Sequence, residues 1–365
     1  MKVLWVAQRD PKNPRAGGVG RTIQELCSRL AMKGHQITVL TGGWKGCSVS
    51  EVVNGFKIIR YGQTLGPHFA LPVFLLKQNF DLVVNDLGHA VPWVSSSLLA
   101  RKNIVFFHHL HARTLNGQVN PVLAKIIIAI EKCYFIPYGR STFVTESPSA
   151  LNDLRSLGID AKNIEKIPPG VDKDVFHPAI KTKFPSMVYF GGMRRYKRPE
   201  EGIHLLNNLI DRIRDLKMVV VGSGPELQSL VTLSKKLNLQ KNIKFTGHVS
   251  TIHLAEIVAS SWLNIHTSVA EGWGFSILEA SAAGTPTVAY DVPGVTDAIE
   301  QGLNGIKVED GNRRGLADAA LSILSDPERW WSSSTVVAEK YSWDNTAELW
   351  DALIRKVGSD QIAPH

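Results

Sequence analysis

The feature that most constrains this chain is a rhythm that stops once and begins again. Short apolar runs, KVLWVA (2–7), QITVL (36–40), DLVVN (81–85), NIVFF (103–107) and STFVT (141–145), alternate with longer stretches. The proline-rich segment IPPGVDKDVFHPAIKTKFPS (167–186) interrupts them. The pattern then resumes with MVYFGG (187–192), KMVVVG (217–222), NIKFTG (242–247), WLNIHT (262–267) and PTVAY (286–290). Runs this short and this apolar are strands covered on both faces. Where helices separate them, a doubly wound parallel sheet follows. The helix expected over 20–34 carries Ile23, Leu26, Leu30 and Ala31 on one face and stops at Gly34. The fold class expected is therefore α/β, with two similar parallel-sheet domains in tandem, 1–180 and 181–344. The amphipathic stretch NTAELWDALIRKV opens a C-terminal helix within 345–365 that packs back on the first domain, with Leu349, Ala352, Leu353 and Val357 on one side.

Charge and cysteines narrow the function. Residues 1–180 hold 21 Lys and Arg against 12 Asp and Glu, a net +9; residues 181–365 hold 20 against 21, a net −1; the sum is the +8 of the whole chain. A basic first half attracts an anionic membrane, an acidic acceptor or nucleic acid. Nucleic acid is set aside because aromatic and basic residues are not interleaved. Cys27, Cys47 and Cys133 are odd in number and far apart, so reduced, buried thiols and a cytoplasmic protein are expected. The start MKVLWVAQRD is too short in apolar residues for a secretory core and reads as a strand. PVLAKIIIAI (121–130) is too short to span a membrane and reads as a buried helix.

Ligands of such sheets sit beyond the carboxyl ends of the strands. Gly17, Gly18 and Gly20 follow the first strand and precede a helix, so backbone N–H groups can approach an anion closely. A flexible loop would carry the same residues. His108 stands at the end of NIVFF, followed by His109 and His111. Without an acidic partner in the neighbourhood they make no metal site, and a polar contact from His108 to a substrate is expected. Arg194, Arg195, Lys197 and Arg198 follow MVYFGG. Four cations this close suit a diphosphate, or else form a solvated basic loop. In VVVGSGPELQSL, Gly222 and Gly224 lack the third glycine of a dinucleotide fingerprint, which disfavours NAD.

The stretch AEGWGFSILEASAAGTP (270–286) holds two carboxylates, Glu271 and Glu279, and no Lys or Arg. Gly272 and Gly274 keep the loop thin, and a helix starts near Phe275 or Ser276 and stops at Gly284. Its first turn is expected to offer the N–H groups of Phe275 to Leu278 to an anion. A buried acid without a local cation needs hydroxyl donors, which a ribose or a sugar supplies. Glu279 is thus assigned to a ribose, Glu271 to a transferred sugar, and the helix start to phosphates between them. Two exposed surface acids are the alternative.

Taken in order, GGVGR (17–21), VFFHH (105–109), IPPGVDKDVF (167–176), GGMRRYKRPEEGI (191–203), VVVGSGPE (219–226) with NIKFTGHV (242–249), and EGWGFSILEA (271–280) resemble the motifs of retaining glycosyltransferases of family 4. The resemblance covers nearly the whole chain. It implies a GT-B fold, two Rossmann-like domains with a cleft between them. It implies transfer from a nucleotide-diphosphate sugar, with retained anomeric configuration and no metal or other cofactor. Carried over, Lys197 contacts the diphosphate, Glu279 the ribose, Glu271 the donor sugar, and His108 or His109 the donor sugar near the reacting carbon. Phe275, Ser276 and Ile277 supply backbone and base-side contacts, Gly17 and Gly18 close against the phosphates, and Gly222 and Gly274 complete the donor site. Gly192 stands where the family has arginine, so Arg194 or Arg195 supplies that charge; Pro169 stands where it often has asparagine. A glycan or lipid-linked acceptor and peripheral contact with an anionic membrane are expected. An epimerase or phosphorylase on the same fold, or a non-catalytic nucleotide-sugar binder, are the alternatives.

Overall fold

The computed structural model describes residues 1–89, 91–115, 119–139 and 141–359. It divides into two compact units. The first is formed mainly by Met1–Ala112, Pro121–Gly170 and the helix Trp343–Ser359; the second by Val171–Ser342. The chain changes unit inside the proline-rich segment.

The first unit is built on an eight-stranded sheet: β1 (Lys2–Val6), β2 (Gln36–Thr41), β3 (Ser50–Val53), β4 (Phe56–Arg60), β5 (Leu82–Asp86), β6 (Asn103–Phe107), β7 (Thr142–Thr145) and β8 (Ile164–Lys166), in the order β3-β4-β2-β1-β5-β6-β7-β8. Every pairing is parallel except β3 with β4 at one edge. Central strands are apolar on both faces because helices cover both sides; β5 is buried along its whole length. Four helices matter below: α1 (Gly18–Met32), α2 (Gly66–Lys77), α3 (Val94–Leu99) and α4 (Pro121–Lys132). α1 buries Ile23, Leu26, Cys27 and Leu30, and Gly34 beyond it takes φ +88°, the left-handed geometry a helix stop favours.

The second unit repeats the plan with six parallel strands: β9 (Ser186–Phe190), β10 (Lys217–Val221), β11 (Ile243–Gly247), β12 (Leu263–His266), β13 (Thr287–Tyr290) and β14 (Gly305–Val308), ordered β11-β10-β9-β12-β13-β14. Its largest apolar cluster joins Met187, Tyr189, Ile203, Leu206, Met218, Ile265, Ile277 and Trp330.

The C-terminal helix packs on α1, within the first unit, as expected. Three other expectations are corrected, the first being the face this helix buries. It buries Trp343, Ala347, Trp350, Leu353 and Ile354, whereas Leu349 is exposed. Trp350 sets the rotation by lying against Trp5 and Phe106, ring centroids 5.2 and 5.1 Å away; the larger ring wins the inner face. α4 is a helix but not a buried one: Val122, Leu123 and Ile126 are exposed. Its anchor is polar, since Glu131 is buried and accepts from the backbone N–H groups of His111 and Ala112. Only Cys27 is buried; Cys47 is half-buried and Cys133 exposed. No described helix is long and apolar enough to cross a membrane.

Candidate active site

In each sheet the order reverses beside one strand. β1 lies between β2 and β5, and β9 lies between β10 and β12. Crevices at such points, beyond the carboxyl ends, are where open parallel sheets take ligands. The loops that leave β1, β5, β9 and β12 are therefore the places to look.

In the second unit, the segments after β9 and β12 meet. Lys197 closes a short 3₁₀ turn, Arg195–Lys197, and its Nζ lies 2.7 Å from Glu271 Oε1. Ser268 Oγ donates to the same oxygen at 2.7 Å. Glu271 Oε2 takes no bond among the described residues. Burial works to raise the Glu271 carboxyl, but the Lys197 charge and the two hydrogen bonds outweigh it and hold it near 2. Burial works against the Lys197 ammonium in turn, and Glu271 holds its pKa well above the ordinary lysine value. The pair is thus fully ionised at neutral pH. This corrects the sequence argument, in which Glu271 needed outside hydroxyls for want of a cation: a lysine 74 positions away in the chain supplies the charge.

His266, at the end of β12, was read as strand and missed. Its Nδ1 pairs with Ser276 Oγ at 2.9 Å, and its Nε2 lies 3.6 Å from Glu271 Oε1. Burial pushes its pKa down to about 4, so it is neutral. The signal was a titratable ring at the end of the buried strand LNIH.

The helix Phe275–Ala282 starts after Gly274, whose φ is +78°. Phe275 is half-buried and Glu279 is buried at 8% exposure. Two of the expected contacts are altered here, those of Ile277 and Gly222. The Ser276 hydroxyl faces His266. Ile277 belongs to the core, and its N–H, like that of Leu278, points to the Gly274 carbonyl. Gly222 is a packing residue: a Cβ there would stand 2.0 Å from the Gly191 carbonyl oxygen, so the ends of β9 and β10 leave no room for a side chain.

The cations separate into two kinds. Arg198, at φ +46°, donates to the carbonyls of Thr267 and Ser268 at 2.7 and 3.1 Å and to Asp310 at 2.5 Å, so it ties the loops together and is not at a ligand's disposal. Thr267 Oγ1 completes the clasp by donating to the Lys197 and Arg198 carbonyls. Arg194 and Arg195 are exposed. A Cβ built on Gly192 would sit 3.8 Å from Arg194 Nε and 3.9 Å from its Cγ, so the Arg194 side chain lies alongside the place where a side chain of residue 192 would begin, in ordinary van der Waals contact with it.

In the first unit, Gly17 caps α1 and Gly18 opens it; nothing lies within 4 Å of a Cβ placed on Gly17. His108 follows β6 and is buried. Its Nδ1 lies 2.9 Å from Glu146 Oε2 and its Nε2 3.1 Å from Asp86 Oδ1. Burial works to lower its pKa, and the two carboxylates outweigh that and carry it up to about 10. This corrects the expected role: both ring nitrogens are occupied by protein carboxylates, which leaves none for a sugar. The sequence reading saw no acidic partners because they come from the ends of other strands. Of the two adjacent histidines, His109 is the less buried. No cluster of three or more His, Cys, Asp or Glu among the described residues is arranged to hold a metal ion.

This placement matches a known family. Residues 16–175 fit the profile described as Glycosyltransferase Family 4, and residues 171–333 that of Glycosyl transferases group 1. The chain belongs to glycosyltransferase family 4. Among relatives of this glycosyltransferase, N-acetyl-alpha-D-glucosaminyl L-malate synthase of Bacillus anthracis is 26% identical, covering 86% of each chain. GDP-mannose-dependent alpha-(1-6)-phosphatidylinositol monomannoside mannosyltransferase of Mycobacterium tuberculosis is 25% identical, covering 98% of this chain and 97% of that one. In fold, the transferase is similar to sucrose-phosphate synthase from Thermosynechococcus elongatus, with a TM-score of 0.81 at 19% identity over 97% of this chain and 98% of that one. The fold is GT-B.

Proposed function

We propose that this glycosyltransferase moves a sugar from a nucleotide-diphosphate donor with retention of anomeric configuration and without a metal. The observation that carries the reading is the Lys197–Glu271 pair at the β9/β12 reversal. A fixed, ionised carboxylate with Oε2 available can accept from donor-sugar hydroxyls. The ammonium beside it stabilises charge on the departing diphosphate, where preorganised electrostatics contribute most. Arg194, whose side chain runs alongside Gly192, supplies the second cation that the family carries at position 192. Glu279 accepts from the ribose, and the N-terminal turn at Phe275 faces the phosphates. With cations doing the neutralising, a divalent metal has no required task. The acceptor hydroxyl attacks the face that the diphosphate leaves, and a leaving-group oxygen takes its proton. Glu271 holds the sugar rather than forming a bond to it.

The relatives act with quite different acceptors, and one of them is named for a phosphatidylinositol monomannoside. A lipid-linked or glycan acceptor, with peripheral contact at an anionic membrane, fits the basic first half. The test is transfer followed by NMR with each nucleotide sugar in turn, with and without EDTA. An α-linked product from an α-linked donor, formed equally in EDTA, supports the reading; an inverted product or loss of activity in EDTA contradicts it.

A further inference from the structure

α2 is apolar on both of its sides. Its inner side packs toward β2 through Ala70 and Leu71. Its outer side carries Leu65, Phe69, Val73 and Leu76, spaced by four, four and three, so they form one stripe. All four are exposed; Phe69 and Leu76 each keep 74% of their surface in water. An ordinary surface helix turns polar residues outward. α3 packs beside α2 and adds Leu98, 77% exposed, and Leu99. The two helices are pinned to one another, because the His68 ring of α2 stacks on Trp93, just before α3, with centroids 4.1 Å apart. Exposed apolar surface gathered in this way marks an interaction site.

Charge selects the occupant. Residues 61–130 hold five cations, Lys77, Arg101, Lys102, Arg113 and Lys125, and two acids, Asp81 and Asp86. Asp86 is buried against His108, and Asp81 accepts from the backbone N–H of Lys2. Lys77 ends α2 and Arg101 follows α3, both exposed, while Lys102 donates to the Gly358 carbonyl; a two-fold contact centred on this end of the face would set like charges against each other. The stripe also offers no polar atom for a directional bond to a protein partner. An apolar helix edged with cations suits a lipid surface that presents negative headgroups above hydrocarbon. We propose that the outer face of α2 and α3 docks this transferase on an anionic bilayer. The proposal rests on the transferase reading only for its purpose, reaching a lipid-linked acceptor.

Co-sedimentation of the full chain with vesicles tests it. Binding is expected to phosphatidylglycerol-containing vesicles, weaker on pure phosphatidylcholine, and reduced when salt rises from about 0.1 to 0.5 M. Phe69→Asp, Leu76→Asp and Leu98→Asp should each weaken binding about tenfold, with unchanged circular dichroism and unchanged thermal shift on nucleotide-sugar addition. Ile180→Asp, at a still more exposed apolar residue in the linking segment, should bind as the parent does. Equal vesicle binding by the three α2/α3 variants overturns the proposal. So does concentration-dependent dimerisation in light scattering that the same variants abolish. The nucleotide-sugar shift reports on the donor site separately, so failure at the vesicle leaves the transferase reading standing.

Discussion

Each sheet places a charged cluster beyond the carboxyl ends of its strands, and the two clusters are used in opposite ways. Beyond β12, one acid faces one lysine, a hydroxyl and a neutral histidine, and one carboxylate oxygen is left over. Beyond β6, one imidazolium lies between two acids, and both of its nitrogens are occupied. The second-unit cluster is balanced internally yet keeps an acceptor to offer a ligand. The first-unit cluster is closed on itself and locks three strand ends together. Topology alone therefore does not make a ligand site; the count of unused donors and acceptors does.

The largest expected effect follows from breaking the open cluster. Lys197→Ala removes a charge-assisted bond of about 1.5–3 kcal/mol from the transition state and should lower kcat/KM on the order of ten- to a hundredfold. Initial rates at subsaturating donor measure it; an unchanged value would place the diphosphate elsewhere. Next comes Glu279→Ala. Losing ribose hydrogen bonds should raise the donor KM about tenfold, with a smaller change in kcat, which a KM-against-kcat comparison reads directly. A smaller effect, a few-fold loss in kcat/KM, is expected for Arg194→Ala. The double variant Gly192→Arg with Arg194→Ala should recover most of it, because the new side chain starts next to the one that is removed. Failure to recover would favour Arg195.

Acid and alkali sharpen the contrast. The Glu271 carboxyl titrates near 2 when folded, against an ordinary value near 4.5. Its stabilisation is present above about pH 4.5 and is lost as pH falls toward 2. His108 titrates near 10 when folded, against an ordinary value near 6.5. Its stabilisation is complete below about pH 6.5 and is lost as pH climbs through 10. The melting temperature should therefore fall on the alkaline side through the first unit, and His108→Gln should flatten that limb while leaving the acid limb in place. A variant that keeps the full alkaline slope would contradict the buried imidazolium.

Much of this was legible in the sequence, for reasons that differ by element. Strands covered on both faces announce themselves as apolar runs, which is why β1, β2, β5, β6, β7, β9, β10, β12 and β13 were read close to their positions; the edge strand β11, only half-buried, was read from NIKFTG as well. β3 and β4 were missed because the edge hairpin is not an unbroken apolar run: SEVV has no buried residue, and FKIIR interleaves Lys57 and Arg60 with its apolar residues. β8 and β14 are three and four residues long and not fully buried. Periodicity found α4 but assigned the wrong surroundings, since nothing local says whether an apolar helix has a partner. At the site, Glu271 and Glu279 stood out as acids in an apolar stretch. The partners did not: Lys197 reaches Glu271, and Asp86 and Glu146 reach His108, from the ends of other strands. Pairing across a sheet is a tertiary fact, and side-chain spacing along one segment carries no trace of it.

The most direct measurement is a thermal-shift titration with UDP-, GDP- and ADP-sugars on the parent chain and on Lys197→Ala. Ligand that binds only the folded state raises the melting temperature. At least one nucleotide sugar should raise it in the parent, and the rise should shrink sharply in the variant. No rise with any of them, or an equal rise in both proteins, would contradict a diphosphate seated at the Lys197–Glu271 pair.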